Sequence, residues 1–292
     1  MFKKLISKIL TLPRQSLGKL CKGLGGREYV GAPGNRSLSD NGFYIKAVRK
    51  AISSSKKFSR FKQDSCYRAV LEHVTKEQGA QYLKIIKDES PSIFKKIEDF
   101  KINDTVGGSY TVNYPEVGKI SPSTLRYIKV SSDLLNLFGE NLGEKIAEIG
   151  VGYGGQLLIA DKVLKFKQCD LFDLYPVLEL TSRYLESHAL NSAYKTQTIN
   201  QHTGDINYDL VISNYAFSEL PSTLQRVYIK KVILMSKRGY MTMNSGREVS
   251  AFSEDKVSLS ELKELLPDFE VLPERPSSHP GNYIIVWGHN SR

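Results

Sequence analysis

A short apolar run, Lys145-Ile146-Ala147-Glu148-Ile149, leads directly into Gly150-Val151-Gly152-Tyr153-Gly154-Gly155-Gln156, and Leu157 to Val163 then reads as a helix. Strand, tight glycine turn and helix, in that order, leave few folds open. Glycine adopts left-handed backbone angles freely, so such a turn can close sharply and bring main chain against a ligand. The helix after it presents unpaired N–H groups at its start. This is the ligand-binding corner of a doubly wound α/β sheet.

The spacing of the glycines fits two ligands. Gly150, Gly152 and Gly155 match G-x-G-x-x-G, the dinucleotide fingerprint. Gly150, Gly152 and Gly154, preceded by the acid Glu148, match the G-x-G-x-G form usual for S-adenosylmethionine, which has no pyrophosphate. A second strand is expected near Cys169–Leu174. It ends in Asp173, where either ligand needs a carboxylate to accept from two adjacent ribose hydroxyls.

The rest of the chain separates the two. Tyr208 to Asn214 reads as a buried strand with Tyr215-Ala216-Phe217-Ser218-Glu219-Leu220 at its carboxyl end, and Gly239 to Met243 as another. Phe269 to Leu272 and Tyr283 to Trp287 form a terminal pair of strands, an ending usual in methyltransferases and not in dehydrogenases. Short-chain dehydrogenases also need a Tyr with Lys four residues later, and none of the 16 tyrosines has one. The expected fold is a doubly wound, Rossmann-like class I methyltransferase sheet with an antiparallel terminal strand, preceded by a helical N-terminal domain.

That helical block is read from Asn41 to about Phe100. Phe43, Ile45, Val48 and Ile52 mark one helix. Tyr67, Val70, Leu71 and Val74 mark a second, Tyr82 to Ile86 a third, and Ile93, Ile97 and Phe100 a fourth. Residues 101–122, with Gly107-Gly108, Pro115, Gly118 and Pro122, read as a long loop, and a helix follows over Ser123–Phe138. A block in this position forms a lid or substrate wall. Three segments result: a basic arm at 1–27, a helical domain with its loop at 28–122, and the cofactor-binding domain at 123–292.

Charge is concentrated in the arm. The chain carries a net +10, and residues 1–27 hold seven basic residues and no acid, which leaves +3 for the remainder. Phe2, Leu5, Ile6, Ile9 and Leu10 lie opposite Lys3, Lys4 and Lys8 on a short amphipathic helix that stops near Pro13. Residues 1–22 are a candidate for peripheral contact with an anionic membrane surface, the competing reading being a helix packed on its own protein. The nearly balanced remainder gives no reason to expect a nucleic-acid partner. No apolar run is long enough to span a bilayer. Three cysteines, Cys21, Cys66 and Cys169, are odd in number and far apart, as in a reduced cytoplasmic chain.

The cofactor turn at Glu148–Gln156 resembles that of the sugar O-methyltransferase family of bacterial polysaccharide gene clusters. So do Phe172-Asp173-Leu174-Tyr175-Pro176-Val177-Leu178, Ser213-Asn214-Tyr215-Ala216-Phe217-Ser218-Glu219-Leu220 and His279-Pro280-Gly281-Asn282-Tyr283. Ser121-Pro122-Ser123-Thr124-Leu125-Arg126-Tyr127 is similar as well, so the likeness runs from about residue 60 to 288. One departure is Tyr175-Pro176, where the family pattern has Pro-Pro. The resemblance implies methyl transfer from S-adenosylmethionine to a sugar hydroxyl of a surface glycan or its nucleotide-linked precursor. The nearest alternative is a small-molecule O-methyltransferase outside glycan synthesis. A nucleic-acid methyltransferase would usually carry Asn/Asp-Pro-Pro-Tyr where this chain has Asn214-Tyr215-Ala216-Phe217.

The expected cofactor-binding residues are Glu148, Gly150, Gly152, Tyr153, Gly154, Gly155, Gln156, Asp173, Leu174, Asn214 and Tyr215. A sugar hydroxyl is a poor nucleophile, so a base or a metal should assist removal of its proton. His279, in the turn before the last strand, is the first candidate base, and Glu219 the second. The five histidines form no zinc pattern. Magnesium, which needs only one or two carboxylates, is left open.

Overall fold

The computed structural model describes residues 42–244 and 256–289; the basic arm expected at 1–27 lies outside them. The described chain begins with six helices: α1 (Gly42–Ile52), α2 (Ser55–Phe58), α3 (Ser65–Val70), α4 (Lys76–Glu89), α5 (Pro91–Phe94) and α6 (Ile97–Phe100). Local chemistry sets their starts. Ser54 caps α2, Asp64 accepts from the Cys66 and Tyr67 amides at the head of α3, and Thr75 with Gln78 forms a capping box on α4. The single helix expected across Ile93 to Phe100 is two short pieces. The chain tightens between them, with the Lys96 amide reaching back only three residues to Ile93 O at 2.9 Å.

Residues 101–122, expected as a loop, are ordered by apolar and polar contacts together: Val112, Tyr114, Val117 and Ile120 are buried in the core. A 3₁₀ turn spans Lys101–Asp104, and β1 (Val112–Tyr114) pairs antiparallel with β2 (Gly118–Ile120). Asp104 closes the segment by accepting from Ser121 N and Thr124 Oγ1, both at 2.7 Å. Helix α7 (Pro122–Phe138) follows, capped by Ser121 with proline in its first turn.

The remaining strands form one sheet: β3 (Asn141–Ile149), β4 (Lys165–Phe172), β5 (Ala193–Gln197), β6 (Leu210–Asn214), β7 (Gly239–Met243), β8 (Glu270–Pro273) and β9 (Tyr283–Trp287). Their order is β5-β4-β3-β6-β7-β9-β8, and β9 runs antiparallel to both of its neighbours. The doubly wound expectation, with its antiparallel terminal strand, holds. The crossovers carry α8 (Gly155–Ala160), α9 (Tyr175–Leu185), α10 (Ala216–Glu219), α11 (Ser222–Tyr228) and α12 (Leu259–Leu265).

Both faces of the sheet are buried, as in parallel sheets covered by crossover helices. Ile146, Cys169, Leu171, Leu210, Ile212, Tyr240 and Ile284 face α7 and the helical block in one cluster. Ala147, Phe172, Val211, Met241 and Ile285, one residue out of step, face Tyr228, Val232 and Ile233 in the other. This period of two is why short apolar runs specify the strands so firmly. The helical block shares the first cluster with the sheet, so α1 to α6 are packed on that face of it. Among the described residues no helix is long and apolar enough to cross a membrane.

Candidate active site

The strand order reverses between β3 and β6, and the register brings the strand ends there to one edge. Ile149 stands between Phe172 and Ser213, and Asn214 beside Thr242. In open α/β sheets ligands bind outside this carboxyl edge, at the reversal. The glycine turn leaves β3, Asp173 follows β4, and Asn214 ends β6.

The turn needs its glycines. Gly150, Gly152 and Gly154 have φ of 78°, 57° and 88°. A Cβ on Gly150 would lie 1.9 Å from the Ala216 Cβ, and one on Gly152 would lie 2.9 Å from Leu71 Cδ1. The turn is also fastened to its neighbours. Gly150 N donates to Phe172 O at 2.8 Å, and the Thr181 hydroxyl on α9 donates to Gly152 O at 2.8 Å. Asp173 Oδ2 accepts from Gly152 N at 3.1 Å, while its Oδ1 accepts from Leu174 N at 2.7 Å. Glu148 is buried beneath. Burial, with the Asp173 charge adding to it, pushes its carboxyl up to about 8. At neutral pH it is therefore protonated and can donate a hydrogen bond.

One expected cofactor contact, Tyr153, turns inward. The Tyr153 ring leaves the turn and packs 4.8 Å from the Tyr184 ring. Its hydroxyl accepts from Asn103 Nδ2 at 3.1 Å, and Lys62 Nζ stands 4.2 Å from its ring centroid. Burial lowers the Lys62 amine to about 8. The Tyr153 side chain thus anchors the turn to the helical block, and only its main chain is on the ligand side. Gln156 is likewise buried, with Nε2 donating to Tyr127 O at 3.2 Å and Ser131 Oγ at 3.0 Å. Among the described residues its Oε1 has no hydrogen-bond partner, and neither has Asn214 Oδ1.

A cleft lies beside the turn, between α7, the ends of β6 and β7, and the segment after β8. Tyr82, Arg126, Tyr127, Gln156, Asn214, Tyr215, Tyr240 and Glu274 line it. Tyr215 has a φ of 68°, the one non-glycine residue with positive φ among the described residues. Such strain persists where surrounding structure enforces it, and it clusters at functional sites. Here it aims the Tyr215 hydroxyl at Glu274 Oε1, to which it donates a short hydrogen bond. Glu274 is itself buried and accepts from Ser278 N at 2.7 Å and Ser278 Oγ at 2.8 Å.

Neither expected base lines this cleft. Glu219 accepts from Asn244 Nδ2 at 3.1 Å, and the Glu219 main chain accepts from Lys256. His279 is exposed, with Nδ1 2.8 Å from Pro280 O. The structure instead places Glu274 and Arg126 on the cleft. Glu274 follows β8 with no motif around it. Arg126 sits in the Ser121–Tyr127 segment, where only the family likeness marked it. No group of three or more metal-ligating side chains occurs among the described residues.

No family model matches the chain, and no curated protein matches it. Among solved structures, an S-adenosylmethionine-dependent methyltransferase from Clostridium acetobutylicum is similar at 12% identity, with a TM-score of 0.41, over 55% of this chain and 88% of its own. Magnesium protoporphyrin IX methyltransferase from Synechocystis, with bound SAM, is similar at 14% identity and a TM-score of 0.42, over 72% of this chain and 95% of its own. MtNAS in complex with MTA and tNA is similar at 12% identity and a TM-score of 0.45, over 98% of this chain and 97% of its own. At these values the likeness assigns no activity.

Proposed function

We propose that this chain is an S-adenosylmethionine-dependent O-methyltransferase whose acceptor is a sugar hydroxyl of a glycan or its nucleotide-linked precursor. The carboxyl edge of the sheet carries the reading. A positive-φ glycine turn is tied to Asp173 there, in a sheet whose last strand runs antiparallel between β7 and β8. Dinucleotide-binding sheets of the classic order 3-2-1-4-5-6 lack that inserted strand. Asp173 is the acceptor for the ribose hydroxyls, with Gly150 and Gly152 backing the cofactor. Leu174, partly exposed after Asp173, offers an apolar surface to the adenine.

When bound, the cofactor would supply an electrophilic methyl group on its sulfonium, the methyl–sulfur bond breaking to leave S-adenosylhomocysteine as the neutral thioether. The protein aligns the acceptor oxygen in line with that methyl, and alignment of this kind contributes roughly 7–11 kcal/mol in favourable systems. Glu274 takes the acceptor proton, passed through Tyr215, so that the oxygen–methyl bond forms as the O–H bond breaks. Four tyrosines, Tyr82, Tyr127, Tyr215 and Tyr240, give the cleft apolar faces and hydroxyl edges suited to a sugar ring.

Calorimetric titration with S-adenosylhomocysteine, with NAD as control, tests the reading. Micromolar binding of the first and none of the second supports it, and the reverse result sinks it. Screening nucleotide sugars for label transferred from methyl-labelled cofactor then tests the acceptor class.

A further inference from the structure

We infer that Arg126, Gln156 and Asn214 form a receptor for an α-amino-carboxylate group, the amino-acid end of the cofactor. The inference rests on the cofactor reading above and assigns side chains to an end of the molecule that the glycine turn and Asp173 do not reach.

Three observations meet in one cleft. The first is a buried cation held in no ion pair: Glu72 is the acid that acts on it, from beyond ion-pair distance, and burial itself raises the Glu72 carboxyl toward its neutral form. Arg126 is only 9% exposed, yet its guanidinium makes a single long hydrogen bond, Nη2 to Leu71 O at 3.4 Å. Among the described residues no carboxylate lies within ion-pair distance of it, whereas the other cleft cations are paired, Lys129 with Asp133 at 2.6 Å and Arg275 with Glu89 at 2.7 Å. The Tyr127 and Tyr215 rings flank the guanidinium, 5.5 and 5.8 Å away. A desolvated guanidinium is costly unless an anion reaches it, and its fork of N–H groups matches a carboxylate bidentately.

The second observation is an acceptor without a donor. Gln156 is 2% exposed and its Oε1 is unpartnered. The amide cannot be reversed to relieve this, because Nε2 faces the Tyr127 carbonyl, which can only accept. The third is Asn214 Oδ1, buried and unpartnered at the end of β6. Buried acceptors left unmet cost free energy until a donor arrives. Glu274, the remaining acid of the cleft, does not fill that need, since Ser278 and Tyr215 already occupy its oxygens.

One anion receptor and two neutral acceptors together describe a zwitterion: a carboxylate for Arg126 and an ammonium for Gln156 and Asn214. A phosphate would satisfy Arg126 and leave the two carbonyl oxygens unmet. Tyr127 couples the parts, since its carbonyl fixes Gln156 and its ring flanks Arg126.

The test compares two nucleosides by calorimetry. S-adenosylhomocysteine carries the amino-acid end; 5′-methylthioadenosine is the same thioether without it. The wild-type protein should bind the first at least 10-fold more tightly. Arg126→Leu should lose about 10- to 100-fold in affinity for S-adenosylhomocysteine, as expected for a buried charged contact. Its affinity for 5′-methylthioadenosine should stay within about 2-fold, which also reports that the variant is folded. Should Arg126→Leu not fold, Arg126→Lys, which keeps charge but loses the fork, should show a smaller loss of the same sign. Gln156→Leu should behave like Arg126→Leu. Equal wild-type affinity for the two nucleosides, or an unchanged preference in Arg126→Leu and Gln156→Leu, overturns the inference and leaves the cofactor reading intact. Binding of neither nucleoside by the wild type overturns both.

Discussion

Asp173 Oδ2 accepts a hydrogen bond from the Gly152 amide at 3.1 Å, which locks the end of β4 to the glycine turn that leaves β3. The carboxylate proposed to receive the ribose thus also shapes the turn proposed to back the cofactor. Asp173→Ala should weaken S-adenosylhomocysteine binding by about 1–3 kcal/mol, the range for a lost charged hydrogen bond. Calorimetry checks this, and an affinity unchanged from wild type would remove Asp173 from the cofactor site.

Gly150 is the least replaceable residue of the turn. Its φ of 78° is strained for any other residue, and a Cβ would sit 1.9 Å from that of Ala216 on rigid main chain. Gly150→Ala should cost at least about 2–3 kcal/mol, from backbone strain and overpacking together. A thermal melt lowered by several degrees is the expected result. A melt within a degree of wild type would mean that the turn can open without loss.

Glu148 makes the free protein more stable at lower pH. Its folded value near 8 lies above its unfolded value, so between roughly pH 4.5 and 8 the native state holds a proton that the unfolded state has released. Stability from this group is therefore complete below the unfolded value and falls as pH rises to 8, by up to about 5 kcal/mol. Glu148→Gln cannot ionise, so it should flatten the denaturation free energy across that window and exceed wild type at pH 8. Urea melts at several pH values measure it, and an unaltered slope would show that Glu148 is ionised in the native protein.

The proton acceptor can be distinguished by substitution. Glu274→Gln should lower the methylation rate by about 10²–10⁴-fold, the usual contribution of a positioned base, while S-adenosylhomocysteine still binds. His279→Ala, at an exposed position outside the cleft, should change the rate less than about 3-fold. Initial rates on any acceptor found among nucleotide sugars decide between them. A large loss in His279→Ala with a small one in Glu274→Gln would return the role to the histidine.

The fold was legible where side-chain periodicity reports burial. The strands at Glu148, Val211, Met241 and Ile285 are short apolar runs whose alternate residues enter two cores, so sequence alone marks them. The glycine turn was legible because its left-handed angles, with φ of 57° to 88°, strain other residues and come freely to glycine. β5, Ala193-Tyr194-Lys195-Thr196-Gln197, was not, since it has one buried residue and lies at the sheet edge. The β1–β2 hairpin was not, because its strands are only three residues each, and the buried Val112, Tyr114 and Ile120 stand among Gly and Pro in a pattern too short to show a period.

The amino-acid sequence by itself determined the doubly wound topology, the ligand corner at Gly150–Gly155 and the carboxylate at Asp173, because each follows from local backbone chemistry or from spacing along one chain segment. Tertiary structure alone decided which side chains face the cleft. It turned Tyr153 inward onto Lys62 and Asn103, left His279 exposed, and brought Arg126, Gln156, Tyr215 and Glu274 together from four separate segments. The physical reason is that a side chain's orientation depends on what packs around it, and those neighbours lie far away in sequence.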